Sequence, residues 1–226
     1  MYTVNFLYIQ YIVFITDSTM GILSSSISLT RYRVAGILKP PVIETVATGL
    51  GKHTISEIDN DTTEKIFGWT SFDRPFRPKF KDRSFVIGSH FVFSLRLDKK
   101  TISSGMVNKH CAMEIDRRTA EKGLPFLSRD EKRRIREHVT VLLSRRVPAT
   151  PMICDVIWEY KAATVWFLSR LKSACESLET LFLRSFNIGL IPMIPYSSAY
   201  LTAGLSDDEK DRLTQLSPTP FVAEND

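Results

Sequence analysis

Residues 128–169 read SRDEKRRIREHVTVLLSRRVPATPMICDVIWEYKAATVWFLS, and two kinds of periodicity meet in that stretch. Ser128 followed three residues later by Glu131 is a capping-box signature, in which each side chain satisfies a backbone donor at the start of a helix. Ile135, Val139, Leu142 and Leu143 recur at helical spacing and supply a core face, so a helix is predicted over 128–146, ended by Pro148 and Pro151. β-branched and aromatic residues then fill 153–160 and 163–169, which reads as a β-hairpin turning at Lys161-Ala162.

Outward from there, 171–186 is predicted helical, with Leu171, Ala174, Leu178, Leu181 and Phe182 inward, and 188–194 is a strand broken by Pro192 and Pro195. The C-terminal half is therefore ordered helix–strand–strand–helix–strand. This implies an α+β fold of antiparallel or mixed sheets with packed helices. Towards the N-terminus, strands are expected at 26–34, 65–72 and 91–98, and helices at 40–51 and 103–122. In 91–98, Phe91, Phe93, Leu95 and Leu97 share one face and Val92, Ser94, Arg96 and Asp98 the other. A short capped helix is expected at 206–216, and the tail after Pro218 reads as disordered.

Residues 1–19 read as an extension ahead of Met20-Gly21. Their apolar run, 4–15, is too short to span a bilayer, and the first basic residue is Arg31. One domain is expected over 20–200, with a candidate subdivision near 123–127, then an acidic, partly disordered tail at 201–226. The three cysteines are widely spaced without a CxxC, and the four histidines form no HxxxH or HExxH pair. A disulfide framework and the common zinc motifs are thereby excluded. Neither a cofactor nor a metal site is expected, nor a membrane partner.

Charge is unevenly distributed. Residues 72–100 carry a net +5, residues 116–146 another +5, and residues 207–226 a net −4. Two basic segments and an acidic end suit a polyanion binder. On the 128–146 helix, with Ile135 at zero and 100° per residue, the apolar side chains lie between about −20° and 80°. Lys132, Arg136, Arg129 and Arg133 follow at roughly 60° to 160°, while Asp130 and Glu137 fall near 200–220°. Such a stripe can meet successive phosphates without reading bases. The competing reading is a solvated face laced with pairs such as Asp130–Arg134. Arg77, Lys79 and Lys81 in the aromatic-basic loop 74–83, with Lys99 and Lys100, form a second candidate set. Phe76 and Phe80 of that loop are expected to pack on the domain. Glu57, Asp59, Asp61 and Glu64 are the one dense acidic group, read as a solvated turn.

GILSSSISLTRYRV (21–34), IDNDTTEKIFGWTSF (58–72), FVFSLRLDKK (91–100) and FLSRDEKRRIREHVTVLLSRRVPATPMICDVIWEY (126–160) occur in that order. ATVWFLS (163–169) and LETLFLRSFNIGLIPMIPY (178–196) follow. Together they resemble the bacterial RdgC family of recombination-associated proteins, over about residues 21–200. The resemblance implies an α+β protein that dimerises into a ring around DNA, binds it with little sequence preference, and restrains RecA-driven recombination. The expected partners are then DNA, duplex above all, and a second copy of the chain. The expected location is the cytoplasm, on the nucleoid. No catalytic residue is expected. Two alternatives stay open: a metal-dependent exonuclease using the acids of 57–64, in keeping with the "putative exonuclease" label of some family members, and a protein-interaction module without DNA affinity.

Overall fold

A computed structural model describes residues 22, 27–59, 61–80, 82–123 and 125–217. The proposed extension 1–19, Lys81 and the tail beyond Pro218 lie outside the described residues. Among the described residues, seven strands form one antiparallel sheet: β1 (Thr30–Ala35), β2 (Lys65–Thr70), β3 (Val86–Ile87), β4 (His90–Lys99), β5 (Thr150–Glu159), β6 (Thr164–Phe167) and β7 (Gly189–Pro192). The order across the sheet is β2-β4-β5-β6-β1-β7, with β3 pairing the start of β4. Six helices are described: α1 (Val42–Lys52), α2 (Ser104–Lys122), α3 (Arg129–Arg146), α4 (Lys172–Phe186), α5 (Pro195–Thr202) and α6 (Asp207–Gln215). The architecture is α+β, as the element order implies.

The long antiparallel pair β4–β5, in register from His90↔Glu159 to Lys99↔Thr150, forms the spine. Phe91, Phe93, Leu95 and Leu97 of β4 share the main core with Cys154, Val156 and Trp158 of β5 and with Leu178, Phe182 and Phe186 of α4. Trp158 meets Phe182 edge-on at 4.9 Å between ring centroids, and Trp69 of β2 meets Phe93 at 5.0 Å. Both are favourable aromatic geometries. Gly49 lets α1 approach α4: a Cβ there would lie 2.7 Å from Phe186 and from the Ser185 carbonyl. Gly68 does the same on β2, where a Cβ would lie 2.7 Å from the Ile55 backbone. That approach is what allows Ile55 N to donate to Trp69 O, and Trp69 N to His53 O.

The opposite face of β4 is also buried, and it is polar. Thr70, Ser94 and Asp155 lie side by side across β2, β4 and β5. Ser94 Oγ donates to Asp155 Oδ1 at 2.7 Å and Ile22 N to Oδ2 at 3.0 Å. Among the described residues no cation pairs with Asp155. Burial raises its carboxyl above the ordinary range, against the two donors that lower it. A carboxyl raised on folding stabilises fully below its unfolded pKa of about 4, and that contribution is lost as pH rises through the folded value. Asp155→Asn preserves both bonds, with the amide oxygen accepting from Ile22 and its NH2 donating to Ser94. The variant is expected to be more stable than the parent at pH 7 and to lack this slope. Urea unfolding at pH 4 and pH 7 checks it, and equal pH dependence in both proteins would refute it.

Several elements differ from expectation. Helix α5 occupies ground expected to be broken by Pro195; the proline instead starts the helix, where its missing N–H costs nothing. Strand β7 correspondingly stops at Pro192. Leu171, expected inward, is 49% exposed because it is the N-cap of α4 and lies ahead of the first full turn. The two-residue β3 is too short to leave a periodic signal.

Candidate nucleic-acid interface

Helices α2 and α3 are inserted between the spine strands and build an apolar cluster separate from the main core. Val107 and Cys111 of α2 pack with Leu127 and with Ile135, Val139 and Leu143 of α3. The capping box is formed as expected: Ser128 Oγ accepts from Glu131 N at 3.2 Å, and Glu131 Oε2 accepts from Ser128 N at 3.0 Å. Lys122 Nζ reaches the other Glu131 oxygen at 2.6 Å, closing the hairpin. Lys122 foremost, then the Ser128 donors, hold the Glu131 carboxyl at about 2. Leu142 is 39% exposed rather than core, since Ile135, Val139 and Leu143 already fill the contact with α2.

With that face committed, Arg129, Lys132, Arg133 and Arg136 are all exposed on α3. Arg133 lies 3.4 Å from Asp130, a pair open to water on both sides and therefore weak. Asp130 thus pairs at i,i+3, not with Arg134. Arg136 Nη1 donates to Asn108 Oδ1 of α2 at 3.0 Å, a neutral partner that orients the guanidinium and leaves its charge. Arg129 and Lys132 have no ion pair among the described residues. Helix α2 is different. Arg117 and Arg118 both bond Glu114, whose carboxyl they hold at about 2, and Arg117 also reaches Glu121. The uncompensated charge of the second basic segment therefore belongs to α3.

The other candidates are spread out. Arg77 and Lys79 are exposed in the loop after β2, which Ser71 Oγ anchors by accepting from Lys79 N and donating to Lys79 O. Phe80 is buried as expected, whereas Phe76 is 54% exposed and lies under the Arg96 guanidinium at 5.0 Å. Thr70, beside Ser71, pairs with Ser94, and Ser94 lies five residues from Lys99, roughly 17 Å along the strand. The loop comes back to β4 at Arg96, which Phe76 touches, but Arg96 and Lys99 are an odd number of residues apart and point to opposite sides of the sheet, so the loop and Lys99 do not form one patch. Lys99 is exposed at the end of β4. Lys100 is not available to a ligand. Its ammonium is buried and donates to the carbonyls of Asp59 (2.9 Å), Asp61 (2.7 Å) and Ser144 (2.7 Å). Lys100 leaves the candidate set because a phosphate contact would require breaking all three bonds.

Three of the four acids of 57–64 are engaged within the chain. Glu57 binds Arg96, Asp59 Oδ1 accepts from Ala149 N, and Asp61 accepts from Thr63 Oγ1 and Thr62 N. Among the described residues no cluster of three or more His, Cys, Asp or Glu is placed to hold a metal. Nor is any described helix long and apolar enough to cross a membrane.

No family model and no curated protein matches this chain.

Sequence reasoning missed Lys65, which stands directly opposite Lys99 across β2–β4. The strand assignments were legible, but the register that pairs the two lysines was not.

Proposed function

We propose that this chain is a sequence-independent duplex-DNA-binding protein of the RdgC kind, acting as a homodimer on the nucleoid and restraining RecA-type recombination. The observation that carries the reading is the exposed row Arg129, Lys132, Arg133 and Arg136 on α3, whose only acidic partner among the described residues is the solvent-exposed Asp130. Successive turns offer charges to successive phosphates, and no base-reading geometry is needed. The ordered resemblance of six segments supports the same reading. Phe126, exposed between α2 and α3, gives the hairpin an apolar tip suited to a second copy.

The double substitution Arg133→Glu, Arg136→Glu tests it. Binding should weaken for every duplex sequence alike, and the slope of log affinity against log salt should fall by about 2 in magnitude, at about 0.9 per lost contact. Thermal unfolding should change little, because both side chains are exposed. A salt-titrated gel shift with and without Mg²⁺ reads the result. Unchanged affinity in the variant overturns the assignment of α3, and failure of the parent protein to bind at low salt overturns the reading as a whole.

A further inference from the structure

The β2–β4 pair ends in two lysines set against each other. Lys65 and Lys99 are directly opposed in register, both exposed, and neither has an ion pair among the described residues. Directly opposed residues have Cβ atoms about 5 Å apart, and like charges in that position destabilise a sheet. The chain neutralises comparable charge nearby: Arg96 has Asp98 and Glu57, and Lys100 has three carbonyls. At Lys65–Lys99 nothing in the described fold performs that role.

We infer that Lys65 and Lys99 form a two-ammonium phosphate clamp, a second contact for the nucleic-acid backbone at the root of the α2–α3 hairpin. The inference rests on the DNA-binding reading above and adds a site to it. An anion between the two ammonium groups converts repulsion into attraction, so the pair is more favourable with ligand than without. The pair sits where β4 leads into the hairpin, on the side of the sheet away from Lys100 and its bond to Ser144.

Two variants and one duplex test the clamp. Lys65→Gln, Lys99→Gln removes both charges and should lower the salt slope of binding by about 0.9 in magnitude, for the one phosphate they share. Lys65→Glu should do two opposite things: weaken DNA binding several-fold, and raise the melting temperature of the free protein by roughly 1–3 °C as a like-charge pair becomes an ion pair. A merely structural lysine would not show that opposition. If the parent binds, Arg133→Glu, Arg136→Glu weakens it and the glutamine pair leaves the slope unchanged, the clamp is overturned while the α3 reading stands. If the parent fails to bind, the DNA reading falls and the clamp with it. A melting temperature of Lys65→Glu at or below the parent's overturns the claim that the lysines lack a counter-charge.

Discussion

Arg96→Leu is expected to lower stability by about 3–5 kcal/mol, the cost of leaving a buried charge without its partner. Arg96 is 4% exposed and Asp98 is fully buried, towards the end of β4, one of the two spine strands. Arg96 Nε and Nη2 bind the two Asp98 oxygens at 2.8 and 2.6 Å, and Nη1 and Nη2 bind Glu57 at 3.0 and 3.1 Å. Burial opposes the guanidinium charge, but the hydrogen bonds and charges of Asp98 and Glu57 outweigh it and raise its pKa. Removing the arginine abandons the Asp98 carboxylate in a site with no other cation among the described residues, and frees Phe76 from its contact. For a chain of this length the loss corresponds to roughly 6–20 °C in melting temperature. The double variant Arg96→Leu, Asp98→Leu should recover most of it, because two apolar groups replace a desolvated pair. Calorimetric melts of the three proteins decide the matter. A single variant within 1 °C of the parent would show that the pair contributes nothing, and a double variant as unstable as the single one would show that packing, not charge, was lost.

Lys100→Met is expected to cost about 3 kcal/mol or more, since three carbonyls lose a charged donor and an unpaired buried acceptor costs about 1–3 kcal/mol. The consequence is positional as well. Lys100 ties the Asp59–Asp61 turn to the last turn of α3, whose terminal carbonyls have few partners of their own. Hydrogen exchange in the variant should accelerate in that turn and at the end of α3, while β4 and β5 stay protected. DNA affinity should weaken because the hairpin is less firmly placed. The salt slope should remain at the parent's value, because no phosphate-contacting charge is removed. A variant of unchanged stability with a reduced slope would return Lys100 to the surface as a phosphate ligand.

Local order was legible wherever local interactions decide it. Ser128 and Glu131 are three residues apart, and their capping box formed as written. The alternation in 91–98 correctly separated Phe93 and Leu95 from Ser94 and Arg96. Misjudgements arose where a second element sets the environment. Leu142 has the spacing of a core residue, but α2 covers only the adjacent face. Lys99 and Lys100 look equivalent in the chain, yet adjacent strand residues point to opposite sides. One remains in water, and the other meets carbonyls contributed from about forty residues away in either direction.

From the order of residues alone follow most of the helices and strands, the α+β class, and the cationic row on α3, because hydrophobic period, capping and turn chemistry act over a few residues. Folding the chain was needed to assign each charge its fate. Whether an arginine or lysine is neutralised, buried or left facing solvent depends on groups far away in sequence, and only strand register and helix packing bring them within the few ångströms over which charges and hydrogen bonds act.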